Sequence, residues 1–198
     1  MNIFKKISNM VAQHKLEKDR EKFMICIVTN DIKGVCTYLK NGLDPNFGPA
    51  TVGYFAPIND FPPLFAAAKM WRAEIVQLLL DYKTDPHRTL THGDDMSFSR
   101  YMPPFKPKNA LGVFVEYMRS IDSSHVPPHH KKYPVSTETV LQVYEILRSV
   151  LDLSEEDQQT ISASTGRSVP LFAAWEQKMR LQTVINDTPS SPTRSRRI

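Results

Sequence analysis

The chain has 198 residues, ordinary proportions of charged and apolar residues and a formal charge of +4, a size that buries its own core without metals or disulfides. The charge sits at the ends, net +3 over residues 1–22 and +2 over 186–198. The body is left at −1, which argues against a nucleic-acid-binding face. Cys26 and Cys36 lie in one apolar segment and suit a reducing, intracellular setting better than a disulfide framework.

The start, "MNIFKKISNM", is basic but lacks the apolar stretch of a secretory signal, and no apolar run is long enough to span a bilayer. Residues 3–22 read as an amphipathic helix, with Ile3, Ile7, Met10 and Val11 on one side and lysines elsewhere. Such a helix is expected to cap the end of a stack, with a weak membrane-surface contact as the alternative.

Next comes "KFMICIVTNDIKGVCTYLKNGLDPNF". At a shift of 41 it falls on "PLFAAAKMWRAEIVQLLLDYKTDPHR". Phe23 meets Leu64, Val35 meets Val76, Leu39 meets Leu80, and Asp44-Pro45 meets Asp85-Pro86. In the second stretch Ala66, Ala67 and Ala68 form a small-residue helix face. Ile75, Val76, Leu78, Leu79 and Leu80 then repeat at helical spacing, so each stretch predicts a helical hairpin. The pentapeptide Pro63-Leu64-Phe65-Ala66-Ala67 also returns as Pro170-Leu171-Phe172-Ala173-Ala174, which extends the repetition toward the C-terminus.

These residues resemble an ankyrin repeat, a turn and two antiparallel helices with a Thr-Pro-Leu-His-x-Ala signature. Pro63, Leu64 and Ala67 match the signature, Glu74-Ile75-Val76 and Leu78-Leu79-Leu80 the second helix, and Asp85-Pro86-His87 the loop exit. The resemblance implies an all-α solenoid of about four repeats, near 21–47, 60–88, 108–153 and 166–186. A capping helix at 1–20 precedes them and a basic, disordered tail at 187–198 follows. The family's Thr and His are replaced together, by Pro62 and Phe65 in one copy and by Val169 and Phe172 in the other. Losing both polar partners at once leaves no buried group stranded. Where the family has a left-handed glycine, Asn30 and Trp71 stand. Trp at positive φ is costly, so either the turn is reshaped, the expected outcome, or a partner holds Trp71.

The insertions 48–61 and 89–108 leave from the turns that join units, where the family projects fingers. Both mix prolines with aromatics: Tyr54, Phe55 and Phe61, then Phe98, Tyr101 and Phe105. Proline lowers the ordering cost of a loop and aromatics anchor interfaces. The same rings would otherwise fold back over their own repeats. A third unit is expected from "NALGVFVEYMRS" (109–120) and "VLQVYEILRSVLDL" (140–153). The intervening "HVPPHH" has no cysteine or acidic ligand at metal-site spacing around His125, His129 and His130, and no metal is expected. Ser/Thr-Pro steps and arginines in "DTPSSPTRSRRI" suit phosphorylation or an address signal.

No phosphate loop, serine elbow or His-Glu metalloprotease motif is present. His92 beside Asp94 and Asp95 is ordinary turn chemistry. A non-catalytic protein-interaction module without cofactor is therefore expected, cytoplasmic, binding a protein rather than a small molecule, nucleic acid or membrane. Carried over from the resemblance, the partner-contacting positions are Phe61, Lys69, Met70, Lys108, Glu116, Tyr117, Glu176 and Gln177, with Tyr54, Phe55, Tyr101 and Phe105 on the fingers. The alternatives are a secreted microbial effector that engages a host protein, or a tether to membrane or nucleic acid through the basic ends.

Overall fold

The computed structural model describes residues 3–48, 61–90, 108–123, 136–163 and 169–187. Every regular element among them is an α-helix: α1 (Ile3–Thr29), α2 (Ile32–Lys40), α3 (Pro63–Lys69), α4 (Ala73–Asp81), α5 (Ala110–Ser123), α6 (Thr137–Val150), α7 (Glu155–Ala163) and α8 (Val169–Asp187). The protein is all-α, and none of these helices is long and apolar enough to cross a membrane.

The helix ends carry the repetition. Asn30, Gly42, Trp71 and Lys83 have left-handed backbones, with φ of 60°, 86°, 57° and 61°. They follow the ends of α1, α2, α3 and α4, so the second pair repeats the first 41 positions on. Each end closes with the same two hydrogen bonds. At α1 the Asn30 amide donates to Ile27 (3.3 Å) and the Asp31 amide to Cys26 (2.8 Å); at α3 Trp71 donates to Ala68 (3.0 Å) and Arg72 to Ala67 (2.9 Å). The ends of α2 and α4 do likewise through Gly42–Leu39 and Leu43–Tyr38, and through Lys83–Leu80 and Thr84–Leu79. This pattern satisfies the orphan carbonyls of a helix end. The exit loops repeat too: Asp44 accepts from the Asn46 amide and Asp85 from the His87 amide, each at 2.9 Å.

The turn at Trp71 is not reshaped, contrary to expectation. It keeps the left-handed conformation because the ring is buried and its Nε1 lies 3.3 Å from Met118 Sδ in α5. Packing across the next helix offsets the backbone cost. Lys83 has no such compensation, since it is exposed. Lys83→Gly is therefore expected to stabilise the protein by about 0.5–1 kcal/mol. Gly42→Ala, with nothing within 4 Å of the added Cβ, loses about 1–2 kcal/mol through the backbone alone. Urea denaturation checks both; equal midpoints for the two variants would contradict the turn assignment.

The hairpins stack in two rows. α1, α3 and α5 pack side by side in one row, α2, α4 and α6 in the other, and both α7 and α8 close onto α5. Phe23, Ile27, Val35, Leu64, Phe65, Ile75, Leu79, Leu111, Phe114, Val143 and Phe172 belong to one continuous apolar interior. Polar bonds join the first two units. Asn46 Nδ2 donates to the Lys83 carbonyl (3.3 Å) and its Oδ1 accepts from the Asp85 amide (2.7 Å). Arg72 Nη2 reaches the Val28 carbonyl at 2.7 Å, and Arg88 Nη1 the carbonyls of Asn46 and Phe47 at 3.0 Å.

Three features depart from the sequence expectation. The second copy of the pentapeptide opens one uninterrupted helix, α8, where the first opens a seven-residue helix and a hairpin. An extra helix, α7, precedes it. The expected cap is not a separate element, because α1 runs from residue 3 into the first hairpin and residues 5–18 are all exposed.

Candidate functional site

The structure sorts the sequence-predicted contact residues into three places. The first is a buried cluster between α3 and α5. Phe61, Lys69, Met70 and Tyr117 are all buried. Lys69 Nζ sits 4.4 Å from the Phe61 ring centroid and 5.2 Å from that of Tyr117, a cation–π arrangement in a desolvated setting. Burial pushes the Tyr117 phenol well above its ordinary pKa, so it stays protonated. The sequence placed these four on a binding surface; in the structure they are packed inside the chain. The Ala66–Ala68 face admits them, since small side chains let α5 approach α3 closely.

The second place is an ionic centre that ties Lys108, at the foot of α5, to α5 and α7. The Leu90 amide donates to the Lys108 carbonyl at 3.0 Å in an isolated antiparallel bridge, so these two residues lie side by side. Lys108 Nζ then reaches Asp157 Oδ1 at 2.9 Å and Glu116 Oε2 at 3.6 Å, with Glu156 at 4.0 Å. The side chains of Lys108 and Asp157 are 9% and 6% exposed. Glu116 also pairs with Arg119. Local sequence explains the position of Asp157. Ser154 Oγ caps α7 by accepting from the Asp157 amide at 3.1 Å and donates to Asp157 Oδ2 at 2.6 Å. The acidic first turn of α7 also meets the positive end of its helix dipole. Gly112 makes room, because a Cβ there would stand 2.9 Å from Asp157 Oδ2.

The third place is a cleft of about 510 Å³ between α7 and α8. Leu153, Ile161 and Ala173 supply apolar lining, and Glu155, Gln158, Glu176, Gln177 and Arg180 the polar groups. One wall is fixed by Glu176, whose Oε1 accepts from Tyr144 Oη at 2.9 Å and from Arg148 Nε at 2.8 Å. Arg148 Nη1 donates to the Leu151 carbonyl at 3.0 Å at the end of α6. Tyr144 is buried and stacked on Phe172, centroids 4.2 Å apart and planes 3° apart, with Trp175 edge-on at 5.6 Å. Its phenol is pushed well up in pKa, first by burial and then by the Glu176 hydrogen bond. Gln177 and Arg180 are exposed beside this fixed wall.

Of the expected partner-contacting residues, Glu176 and Gln177 lie at this cleft, whereas Lys108 and Glu116 are engaged in ion pairs within the ionic centre. Asp157, Tyr144, Arg148 and Arg180 were missed. Only Asp157 carried a signal, the Ser154-x-x-Asp157 spacing of a helix start. Tyr54, Phe55, Phe98, Tyr101 and Phe105 lie outside the described residues, as do His125, His129 and His130. Among the described residues no three His, Cys, Asp or Glu side chains are grouped to hold a metal ion. The Cys26 thiol is held above its ordinary pKa, first by burial and then by Asp31, which disfavours the reactive thiolate. No protein-family model, curated protein or solved structure matches this chain.

Proposed function

We propose that this protein is a non-catalytic interaction module built as an ankyrin-type solenoid, and that it binds a partner protein through the α7–α8 cleft and through the finger segments 48–61 and 89–108. One observation carries the reading. Left-handed helix ends recur 41 residues apart at Asn30/Trp71 and Gly42/Lys83, in two hairpins joined by Asn46 and Arg72. A helical unit that recurs and stacks in this way builds an extended surface rather than an enclosed active site. The cleft suits a short stretch of polypeptide, with an apolar floor, amide side chains for backbone groups, and Glu176 and Arg180 for charged ones.

Affinity capture with mass spectrometry identifies the partner, and calorimetry then compares variants. Gln177→Ala/Arg180→Glu is expected to weaken binding by about tenfold or more with no change in thermal midpoint, because both side chains are exposed. Phe55→Ala/Tyr101→Ala/Phe105→Ala tests the fingers separately. Undiminished affinity in both variants would rule the reading out.

A further inference from the structure

Among the described residues, the N-terminal half of α1 holds the longest unbroken exposed run. Every residue from 5 to 18 is exposed, and Ile7, Met10 and Val11 are 53%, 61% and 64% exposed. At 3.6 residues per turn these three share one side of the helix. The buried residues of the other half, Phe23, Met24 and Ile27, lie about 150° around from them. The apolar stripe thus points away from the rest of the chain. Ile25, 42% exposed, lies on the same outer side. This geometry explains why the stripe caps nothing: for it to cover the stack, α1 would have to turn its own anchoring face to water.

We propose that this stripe docks onto an anionic lipid surface, with α1 lying along the membrane and the helical stack on its aqueous side. Charge complementarity selects that occupant. The exposed stretch 5–18 carries Lys5, Lys6, Lys15 and Lys18 against Glu17 alone. Lys6 and Lys15 fall about 90° to either side of the stripe, where lysine stems reach along apolar surface and place their ammonium groups at lipid headgroups. A second copy of the chain fits less well. Along the outer side the positions between Val11 and Ile25 are His14, Lys18 and Glu21. No continuous seam of the roughly three or more heptads that a coiled coil needs is present. The proposal takes up the reading of residues 3–22 that the sequence offered as the alternative to a cap.

The test uses the full chain in vesicle flotation, with phosphatidylcholine alone and with phosphatidylserine added. The expected result is co-flotation with the anionic vesicles, about tenfold or more above the neutral ones, and weaker at high salt. Ile7→Asp/Val11→Asp should abolish it while the thermal midpoint stays unchanged, since neither side chain is buried. No flotation with anionic vesicles overturns the proposal. So does flotation that survives the double substitution, which would assign binding to the C-terminal arginines. A drop in thermal midpoint, or a dimer in sedimentation equilibrium that the same substitution dissociates, overturns it as well, because the stripe would then be covered by protein.

Discussion

Lys108→Met is expected to destabilise the protein by about 3–5 kcal/mol, the usual result of removing one partner from a buried ion pair. Methionine keeps most of the stem volume, so the loss reports the charge rather than a cavity. What remains is Asp157 with a 6% exposed side chain and Glu116 with one 12% exposed. Arg119 stays close to Glu116, and Ser154 Oγ still donates to Asp157, but neither replaces a cation at 2.9 Å. Asp157→Asn alone should cost less, since Lys108 retains Glu116. The double variant Lys108→Met/Asp157→Asn should recover part of the first loss. Urea denaturation of the four proteins gives the coupling directly. A loss below about 1 kcal/mol for Lys108→Met would place this cluster among exposed surface pairs and contradict the burial on which the α5–α7 junction rests.

Phe172→Ala is expected to cost about 3–5 kcal/mol and to release α8. Among the described side chains of α8, Phe172 is the one that is buried. It stacks on Tyr144 and lies 5.8 Å from Phe114, so its removal empties the contact between α8 and both α5 and α6. Glu176 sits one turn further on and depends on the same seating for its bonds to Tyr144 and Arg148. Amide exchange should therefore show α8 losing protection before α3 and α4 do. Uniform loss across all helices would mean that α8 is anchored elsewhere. Phe65→Ala, at the matching position of the first copy, is the comparison. Phe65 is buried on α3, which packs against both α1 and α5, so its loss should unfold the whole chain cooperatively.

These two phenylalanines show where sequence stops being informative. Pro-Leu-Phe-Ala-Ala is written identically at 63–67 and 170–174, and in both places it begins a helix and buries its ring. Beyond that the copies diverge. Ala66 and Ala67 are fully buried, whereas Ala173 is half-buried and Ala174 exposed. The first copy ends at Trp71 because the indole packs against Met118 of the next unit. The second continues to Asp187, through Gln177, Lys178 and Arg180, all of which tolerate helix. The same limit applied to Phe61, Lys69, Met70 and Tyr117. The sequence set them on or beside first helices as partner contacts, but their burial depends on helices and segments distant in the chain.

The sequence alone determined the helical class, the 41-residue recurrence and the ends of α1 and α2. Each of these rests on local dihedral preferences and on hydrogen bonds between residues no more than five apart. The tertiary structure decided which residues face water. It turned the two halves of α1 to opposite sides, enclosed Lys69 between rings, joined Lys108 to a carboxylate 49 positions away and opened a cleft beside Glu176. Those outcomes follow from which helix faces meet, and a side chain's own neighbours in the chain do not specify that.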